Sequence, residues 1–410
     1  MDDKKLEIHG ENVPEKVKTE HKKVNTLVRL IGEVDRPFLM LVFALVCLGS
    51  IMVFSASYAF AQTRFNDSYF FARKQLGWIG LGFLTLGLCA KFLRPIMVKN
   101  FVWIGYGVSI LLNIAVIFIG DEVKGATRQI TFLGINFQPS ELLKFFTIIV
   151  CAKYISEHTS KMSSFKYGIL PFALLAIPST VLCILQKHLS ATIIILLLIY
   201  FMMLLGGSHL GWVGTIGAVG AFGAVFVATN ISLISNLSIF KNQLSHVLLR
   251  LLVWENPFAY MKYPPTDPGW QPSQSIYAIS SGGFWGVGLG NSIEKHGYLP
   301  EPQNDYIFSI LCEEMGFAGA IVVIALFAAL IIRGFQIAKR CTDKFSSLVV
   351  MGLVSKLGLQ VILNIAVVTN VIPSTGISLP FFSYGGTALL ILLAEMGLIL
   401  SISRYSFAEN

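Results

Sequence analysis

The sequence has little charge for its length. Only 13% of its 410 residues are charged, whereas 54% are hydrophobic. Soluble domains carry about 25% charged residues, so this composition excludes an ordinary soluble domain and predicts that a bilayer is the solvent. The net charge of +8 does not indicate nucleic acid, because the basic residues form no long stripe.

The sequence also lacks the patterns of a disulfide framework, a zinc site and a cleaved signal peptide. The six cysteines show no CxxC pair and no zinc-type spacing with histidine, so we interpret them as small buried hydrophobic residues. Residues 1–36 form a charged N-terminal arm without the short apolar core of a signal peptide. We therefore expect the arm to be cytoplasmic and the first span to stay as an anchor.

Apolar runs of about 20 residues predict membrane-spanning helices, and the chain has ten of them between residues 37 and 405. The sequence thus predicts an all-α polytopic membrane domain with a long outer loop, 230–305, between the seventh and eighth spans. Gln186, Lys187 and His188 interrupt a 41-residue apolar stretch, which we interpret as two helices joined by a tight polar turn. The predicted spans are 37–59, 73–93, 101–120, 139–156, 166–185, 189–206, 209–229, 306–333, 345–369 and 381–403.

Lysine and arginine in the connections predict the orientation, because they concentrate in cytoplasmic loops. With the N-terminus inside, the inner connections and arm hold 19 of them and the short outer connections seven. This bias predicts that both termini are cytoplasmic. The segments 121–141, 186–188, 230–305 and 370–380 then lie outside, where ATP is absent and a substrate must carry its own leaving group.

The first outer segment contains basic residues at a predicted helix start. Lys124 and Arg128 precede a helix that is expected to begin with Glu141, and Lys144 shares a face with Glu141. The pattern fits a capped helix end with an ion pair, and it also fits a cationic rim that attracts phosphate.

The long outer segment combines an amphipathic pattern, prolines and glycines. Apolar residues recur at helical spacing over 237–251, which predicts a helix that lies on the bilayer and ends near Arg250. Asp267 follows a proline-rich stretch and precedes Pro-Gly. This pattern is typical of a turn-forming residue, and it also fits a carboxylate that is held in place as a general base. The glycines of 282–290 lack the following Gly-Lys-Ser/Thr of a nucleotide loop, so they indicate close backbone approach.

Acidic residues within a span and a broken helix mark two further candidates. Glu313 and Glu314 lie inside the eighth predicted span, where acidic side chains are functional candidates by default. The segment 373–380 has two prolines and a glycine at membrane depth, so its backbone must be buried in protein or line a wet cavity.

In this order and between these spans, four stretches resemble the SEDS family (shape, elongation, division and sporulation), which includes FtsW, RodA and SpoVE. The resemblance covers nearly all of residues 35–405. Within the family, the chain is most similar to the division and sporulation branch. The stretches that carry it are KGATRQI with QPSELLK, DPGWQPSQSIYAISSGG, GVGLGNSIEKHGYLPEPQNDYIFSILCEEMG and PSTGISLPFFSYGG.

The resemblance implies a ten-span peptidoglycan glycosyltransferase of the bacterial cytoplasmic membrane. Such an enzyme polymerises lipid II, an undecaprenyl-linked disaccharide peptide, outside the membrane. Its expected partners are a class B penicillin-binding protein and division or sporulation proteins. Asp267 matches the family's essential aspartate, and the implied substrate-binding residues are Lys124, Arg128, Glu141, Lys144, Arg250, Lys295, Asp305, Ser378 and Ser383.

The chain departs from the family pattern at three places. Thr127-Arg128-Gln129 stands where Arg-Arg-Trp is common, Gln186-Lys187-His188 replaces a Gln-Pro-Asp motif, and the stretch after Asp267 is shortened to Pro-Gly-Trp-Gln. No ligand cluster in the sequence requires a cofactor, although a divalent cation such as Mg or Mn is compatible with the chemistry. Two other functions remain open at this point: a lipid II flippase, and a non-catalytic division scaffold.

Overall fold

The computed structural model describes residues 32–123, 126–132, 135–230, 245–261 and 267–406. Within these ranges the chain is a bundle of helices with one small sheet on one end. The helices are α1 (Arg36–Phe65), α2 (Phe70–Phe92), α3 (Pro95–Ile119), α4 (Pro139–Glu157), α5 (Leu170–Leu185), α6 (Leu189–Gly206), α7 (Leu210–Thr229), α8 (Ser245–Glu255), α9 (Trp270–Ser281), α10 (Ile307–Arg340), α11 (Lys344–Val368) and α12 (Gly386–Ser406). A short helix, Phe165–Gly168, leads into α5.

The predicted spans correspond to helices of the described residues. Nine of these are long and apolar enough to cross a membrane. The remaining predicted span is α4, which carries Glu141 and Lys144 and contributes a largely buried helix. It begins at Pro139, where the span was predicted to start and two residues before the helix start expected at Glu141, because proline fits the first turn of a helix where its missing N–H is not needed.

The tight turn predicted at 186–188 is present between α5 and α6. Lys187 has φ 54°, and His188 N–H donates to the Cys183 carbonyl at 2.8 Å. The chain thereby reverses within three residues. The buried Gln186 side chain fastens the turn to α3, since its Nε2 donates to the Asn113 carbonyl at 2.8 Å.

A three-stranded antiparallel sheet occupies the first outer segment, which the sequence analysis did not predict. Its strands are β1 (Asp121–Val123), β2 (Ala126–Phe132) and β3 (Ile135–Phe137), in the order β1-β2-β3. Thr387 Oγ1 donates to the Asn136 carbonyl at 2.7 Å, so the sheet is joined to the start of α12. This contact places Arg128, on β2, above the helix bundle.

Helix α10 is broken nine residues after its start, where Gly316 has φ 65° and ψ −168°. The predicted close approach of the glycine run takes place at this break. Phe317 N–H donates to the Gly283 carbonyl and Ala318 N–H to the Phe284 carbonyl, both at 3.0 Å. A side chain at Gly316 would lie 2.3 Å from the Gly286 nitrogen, so only glycine fits. At its other end α10 continues to Arg340, beyond the predicted end at 333.

The predicted cytoplasmic ends of the helices are joined by charged side chains. Asp35 caps α1 by accepting from Phe38 N–H at 3.0 Å, and Arg333 donates to both of its carboxylate oxygens at 3.0 and 2.9 Å. Arg404 Nη1 donates to the Ala90 carbonyl at 2.8 Å. These contacts connect α1, α2, α10 and α12 at the end of the bundle opposite the sheet.

The long outer segment contains helices as well as loop. The predicted amphipathic helix at 237–251 is represented by α8, while residues 237–244 lie outside the described part of the chain. Trp254 Nε1 donates to the Asn370 carbonyl at 3.0 Å, and Ser275 Oγ on α9 donates to the Val368 carbonyl at 2.7 Å. Both helices are therefore fixed against the end of α11.

Candidate active site

A cavity of about 910 Å³ opens at the end of the bundle that carries the sheet. Its walls come from β2 and from helices α2, α4, α6, α8, α9, α11 and α12, together with the segments 301–306 and 374–385. Seven of the ten residues predicted for the site line it, namely Arg128, Glu141, Lys144, Arg250, Asp305, Ser378 and Ser383. Residues more than a hundred positions apart in the chain thus share one chamber.

Two arginines and an aspartate, Arg128, Arg250 and Asp305, form one charged wall of the cavity. Burial lowers the pKa of Arg128, and the nearby Arg250 lowers it further, while Asp305 opposes the shift. Arg250 holds its place by donating from Nη1 to the Ser374 carbonyl at 2.9 Å. Arg128 Nε is a buried donor without a hydrogen-bond partner among the described residues. Since a buried donor without a partner is costly, this wall is suited to an incoming anion.

Glu141 and Lys144 form the predicted ion pair, and it is deeply buried. Lys144 Nζ lies 2.6 Å from Glu141 Oε1, and their side chains are 3% and 10% exposed. The spacing of three residues on α4 brings the two groups to one face of the helix. Both side chains line the cavity, so the capped-helix and the site interpretations describe the same pair.

His188, in the turn between α5 and α6, also lines the cavity. Its Nε2 lies 3.2 Å from Gln138 Nε2, which makes the amide the donor. Burial and the positive charges of Arg128 and Lys144 lower its pKa to about 3, so the imidazole is neutral at neutral pH. His188, which stands where the family has the aspartate of its Gln-Pro-Asp motif, therefore adds no charge to the cavity.

The segment after α11 shapes another wall through backbone contacts. Ser383 Oγ accepts from Leu379 N–H at 2.7 Å and donates to the Asn304 carbonyl at 2.9 Å. Gly376, at φ 76°, lies beside Asp305. The irregular backbone predicted at 373–380 lines a cavity as expected, and the Ser383 hydroxyl stabilises the wall.

Asp267 does not line this cavity, although it lies close in the chain to a residue that does. It lies three residues before Trp270, the first residue of α9, whose N–H donates to the Asp267 carbonyl at 3.1 Å. One turn further, Gln271 lines the cavity and donates from Nε2 to the Pro300 carbonyl at 3.1 Å. The segment 262–266 and the predicted site residue Lys124 lie outside the described residues.

Lys295, which was predicted to bind substrate, does not line this cavity and lies in a different buried cluster. Its Nζ lies 2.5 Å from Glu314 Oε1, and both side chains are fully buried. Ser55 Oγ donates to the same carboxylate at 2.6 Å. Glu313 accepts from Ser292 Oγ at 2.5 Å and from Ile293 N–H at 2.8 Å. The acidic pair of the eighth span thus fastens the outer segment to α1 and α10.

Sequence reasoning missed Lys356 on α11 and Glu395 on α12, which form an ion pair at 2.5 Å. Lys356 lines the cavity. The signal was available, because a charged residue within an apolar span is a functional candidate wherever it occurs. Glu313 and Glu314 were identified on this ground, and Lys356 and Glu395 meet the same criterion.

The family of the chain follows from comparison with known proteins. Residues 36–407 match the family model described as "Cell cycle protein", FTSW_RODA_SPOVE. The chain belongs to the FtsW/RodA/SpoVE family. It is 33% identical over 383 residues to stage V sporulation protein E of Bacillus subtilis, a match that covers 91% of this chain and 97% of that protein. It is also 33% identical over 383 residues to the probable peptidoglycan glycosyltransferase FtsW of Geobacter sulfurreducens, covering 92% and 96%.

Solved structures of FtsW/RodA/SpoVE relatives share the fold. A structure titled "Structural coordination of polymerization and crosslinking by a peptidoglycan synthase complex" aligns with a TM-score of 0.72 and 26% identity, covering 91% of this chain and 98% of that one. The crystal structure of the rod shape determining protein RodA of Thermus thermophilus aligns with a TM-score of 0.62 and 25% identity, covering 90% and 97%. The predicted all-α polytopic fold is confirmed.

Proposed function

We propose that the chain is a peptidoglycan glycosyltransferase that polymerises lipid II on the outer face of the bacterial cytoplasmic membrane. The observation that carries the proposal is the cavity, which combines a cationic wall with an apolar one. Arg128 and Arg250 provide the charge, while Trp78 and Leu81 of α2 and Leu392 of α12 provide the apolar surface. A polyprenyl diphosphate that carries sugars has this same division of polarity.

In the proposed reaction the 4-hydroxyl of the acceptor sugar attacks the anomeric carbon of the donor. The bond from that carbon to the phosphate oxygen breaks, undecaprenyl diphosphate leaves, and the glycosidic bond forms with inversion. We assign the general base to Asp267, as the family resemblance implies. It lies outside the cavity lining, four residues before Gln271, which belongs to that lining. Arg128, Arg250 and Lys124 stabilise the charge that develops on the departing diphosphate.

We further propose that both termini are cytoplasmic and that the cavity opens outside. The basic bias of the connections supports this orientation, and so does the gathering of the site residues at one end of the bundle. A class B penicillin-binding protein is the proposed partner, in division or sporulation. The relative with the larger TM-score comes from a structure whose title names a synthase complex.

A flippase is the alternative from another class, because helical membrane proteins with broken helices also transport lipids. The break at Gly316 and the irregular segment 373–380 fit that description. The polar cavity walls lie at one end of the bundle, however, whereas alternating access requires a site that opens to both sides. The glycosyltransferase therefore accounts better for where the cavity lies.

Polymerisation of purified lipid II by the purified protein with its cognate penicillin-binding protein tests the proposal. Glycan strands separated by gel electrophoresis are the expected product, and their absence with both proteins folded would contradict the proposed activity. Repeating the assay with a chelator tests whether Mg or Mn shares in stabilising the leaving group. Loss of product that added cation restores would assign it that role.

A further inference from the structure

A second buried ion pair lies beside Glu141 and Lys144 in the cavity. Lys356 Nζ is 2.5 Å from Glu395 Oε1, and their side chains are 2% and 1% exposed. The same ammonium lies 3.8 Å from Glu141 Oε2. Charges therefore alternate from Lys144 through Glu141 and Lys356 to Glu395, and this row joins α4, α11 and α12.

Lys356 is the member of the new pair that reaches the cavity. It lines the cavity with Glu141 and Lys144, whereas Glu395 lies behind it. An ammonium group has three donors. One donates to Glu395, and Glu141 Oε2 lies beyond hydrogen-bonding distance. Lys356 thus keeps donor capacity at the cavity wall.

We infer that Lys356 is an additional substrate-binding residue, and that Glu395 holds the Lys356 ammonium group in place. Lys356 donates a hydrogen bond to an uncharged oxygen of the lipid-linked sugar. This inference rests on the proposed function. The oxygen belongs to a sugar hydroxyl or an acetamido carbonyl. Both are uncharged hydrogen-bond acceptors. The Lys356 ammonium, already paired with the Glu395 carboxylate, can bind either of them without bringing another negative charge into the cavity.

The charges argue for an uncharged acceptor at this position. The row contains two ammonium groups and two carboxylates, so its formal charge is zero. A diphosphate is better placed at Arg128 and Arg250, where two guanidinium groups face the single carboxylate of Asp305. Lys356 therefore belongs to the part of the cavity that recognises the sugars.

Glu395 makes this arrangement possible by compensating a charge that would otherwise be buried alone. Removing one partner of a buried pair leaves the other charge without compensation, whereas replacing both by apolar residues of similar volume is often neutral or stabilising. The two effects separate a substrate contact from a structural pair. The double substitution restores the fold without restoring the contact.

The experiment compares wild type, Lys356→Met, Glu395→Met and the Lys356→Met/Glu395→Met double variant in nanodiscs. Thermal unfolding measures the fold, and equilibrium binding without turnover measures affinity for lipid II and for undecaprenyl phosphate. We expect both single variants to unfold at lower temperature and the double variant to recover. We expect the double variant to bind lipid II about tenfold more weakly or worse and undecaprenyl phosphate as the wild type does.

The Arg333→Met/Asp35→Asn variant is the control, because it removes an ion pair at the opposite end of the bundle, outside the cavity, and asparagine can still cap α1. It should keep wild-type affinity for lipid II. If the double variant of Lys356 and Glu395 regains full affinity for lipid II, the pair is structural and the inference is wrong. Equal weakening for lipid II and undecaprenyl phosphate would instead make Lys356 a phosphate ligand and overturn the uncharged acceptor. A wild type that neither binds nor polymerises lipid II would contradict the proposed function itself.

Discussion

At the scale of single residues, the site depends on charges whose surroundings differ. Arg128 and Arg250 are held at a cavity wall, Asp267 lies three residues before α9, and Lys356 is held by a neighbouring helix. Each would contribute to the proposed reaction through a different physical effect. Substitutions can therefore test them separately.

Asp267→Asn should abolish polymerisation without removing the protein from the membrane. Asparagine keeps the size of the side chain, and the backbone hydrogen bond from Trp270 N–H to the carbonyl of this residue does not depend on the side chain. The amide cannot take a proton near neutral pH, and general-base help is worth about 10²–10⁴-fold. Strand synthesis from lipid II, with thermal unfolding as the folding control, measures the effect. Wild-type synthesis by the variant would leave Asp267 as a turn residue only.

Arg128→Ala should weaken use of the diphosphate donor on the order of tenfold or more at subsaturating concentration. The substitution removes a charge-assisted contact worth about 1.5–3 kcal/mol. Arg128 Nε has no hydrogen-bond partner among the described residues, so the substitution breaks no hydrogen bond at that atom. Initial rates over a range of lipid II concentrations measure the change. Arg94→Ala, at the far end of α3, is the control. Equal rates for wild type and Arg128→Ala would remove Arg128 from the site.

At the scale of elements, the break in α10 and the outer segment packed on it form one unit. Gly283 and Phe284 bond to the backbone just beyond Gly316, while Ser292 and Ile293 bond to Glu313. Helix α10 supplies partners to the loop because its own backbone is interrupted at Gly316. The stability of the unit therefore depends on one glycine and on the charges beneath the loop.

Gly316→Ala should destabilise the protein by about 1–3 kcal/mol or more, the usual cost of strained backbone and overpacking. Its φ of 65° disfavours a side chain, and the new Cβ would lie 2.5 Å from the Phe284 oxygen. Gly220→Ala is the matched control, since nothing lies within 4 Å of that position in α7 and alanine favours a helix by about 1 kcal/mol. Thermal unfolding in detergent should separate the two, and equal midpoints would contradict the strain argument.

Glu294→Gln should stabilise the protein at pH 8 much more than at pH 5. Burial and the neighbouring Glu313 raise the pKa of Glu294 from 4.5 to about 7. The carboxyl group is therefore protonated in the folded protein below pH 7, and the stability this provides is lost as pH rises through 7. Glutamine stays neutral and avoids that loss. Unfolding midpoints at both pH values measure the difference, and an effect independent of pH would refute the assignment.

At the scale of the whole molecule, the two ends of the bundle have different roles. One end joins α1, α2, α10 and α12 through Asp35, Arg333 and Arg404. The other holds the sheet, the outer helices and the cavity. The proposed chemistry is possible only if the second end faces the outside, so the orientation is a prediction about function as well as topology.

Cysteine labelling in whole cells tests that orientation. Thr342→Cys, between α10 and α11, should react with a membrane-impermeant maleimide only after the cells are permeabilised, because we expect this connection inside. His296→Cys, in the outer segment, should react in intact cells. Both positions are exposed, and the six native cysteines are replaced beforehand. Labelling of Thr342→Cys in intact cells would invert the topology.

The sequence by itself determined the membrane class, the positions of the spans and seven of the residues that line the cavity. Apolar runs had to be buried in lipid or protein, and polar residues between them could gather only at the ends of the helices. Arg128, Glu141, Lys144, Arg250, Asp305, Ser378 and Ser383 were predicted and do line one cavity. The short sheet was missed although Thr127, Gln129 and Thr131 alternate with Arg128 and Ile130, because seven residues give a weak periodicity.

Only the tertiary structure decided which charges meet. Lys295 and Lys356 look alike in the sequence, yet the first pairs with Glu314 on α10 away from the cavity and the second pairs with Glu395 at its wall. Their partners lie 19 and 39 residues away. A buried ammonium takes whichever carboxylate the packing of helices places beside it. Hydropathy locates the helices along the chain but does not specify which faces pack together, and that packing assigns one lysine to structure and the other to the proposed sugar site.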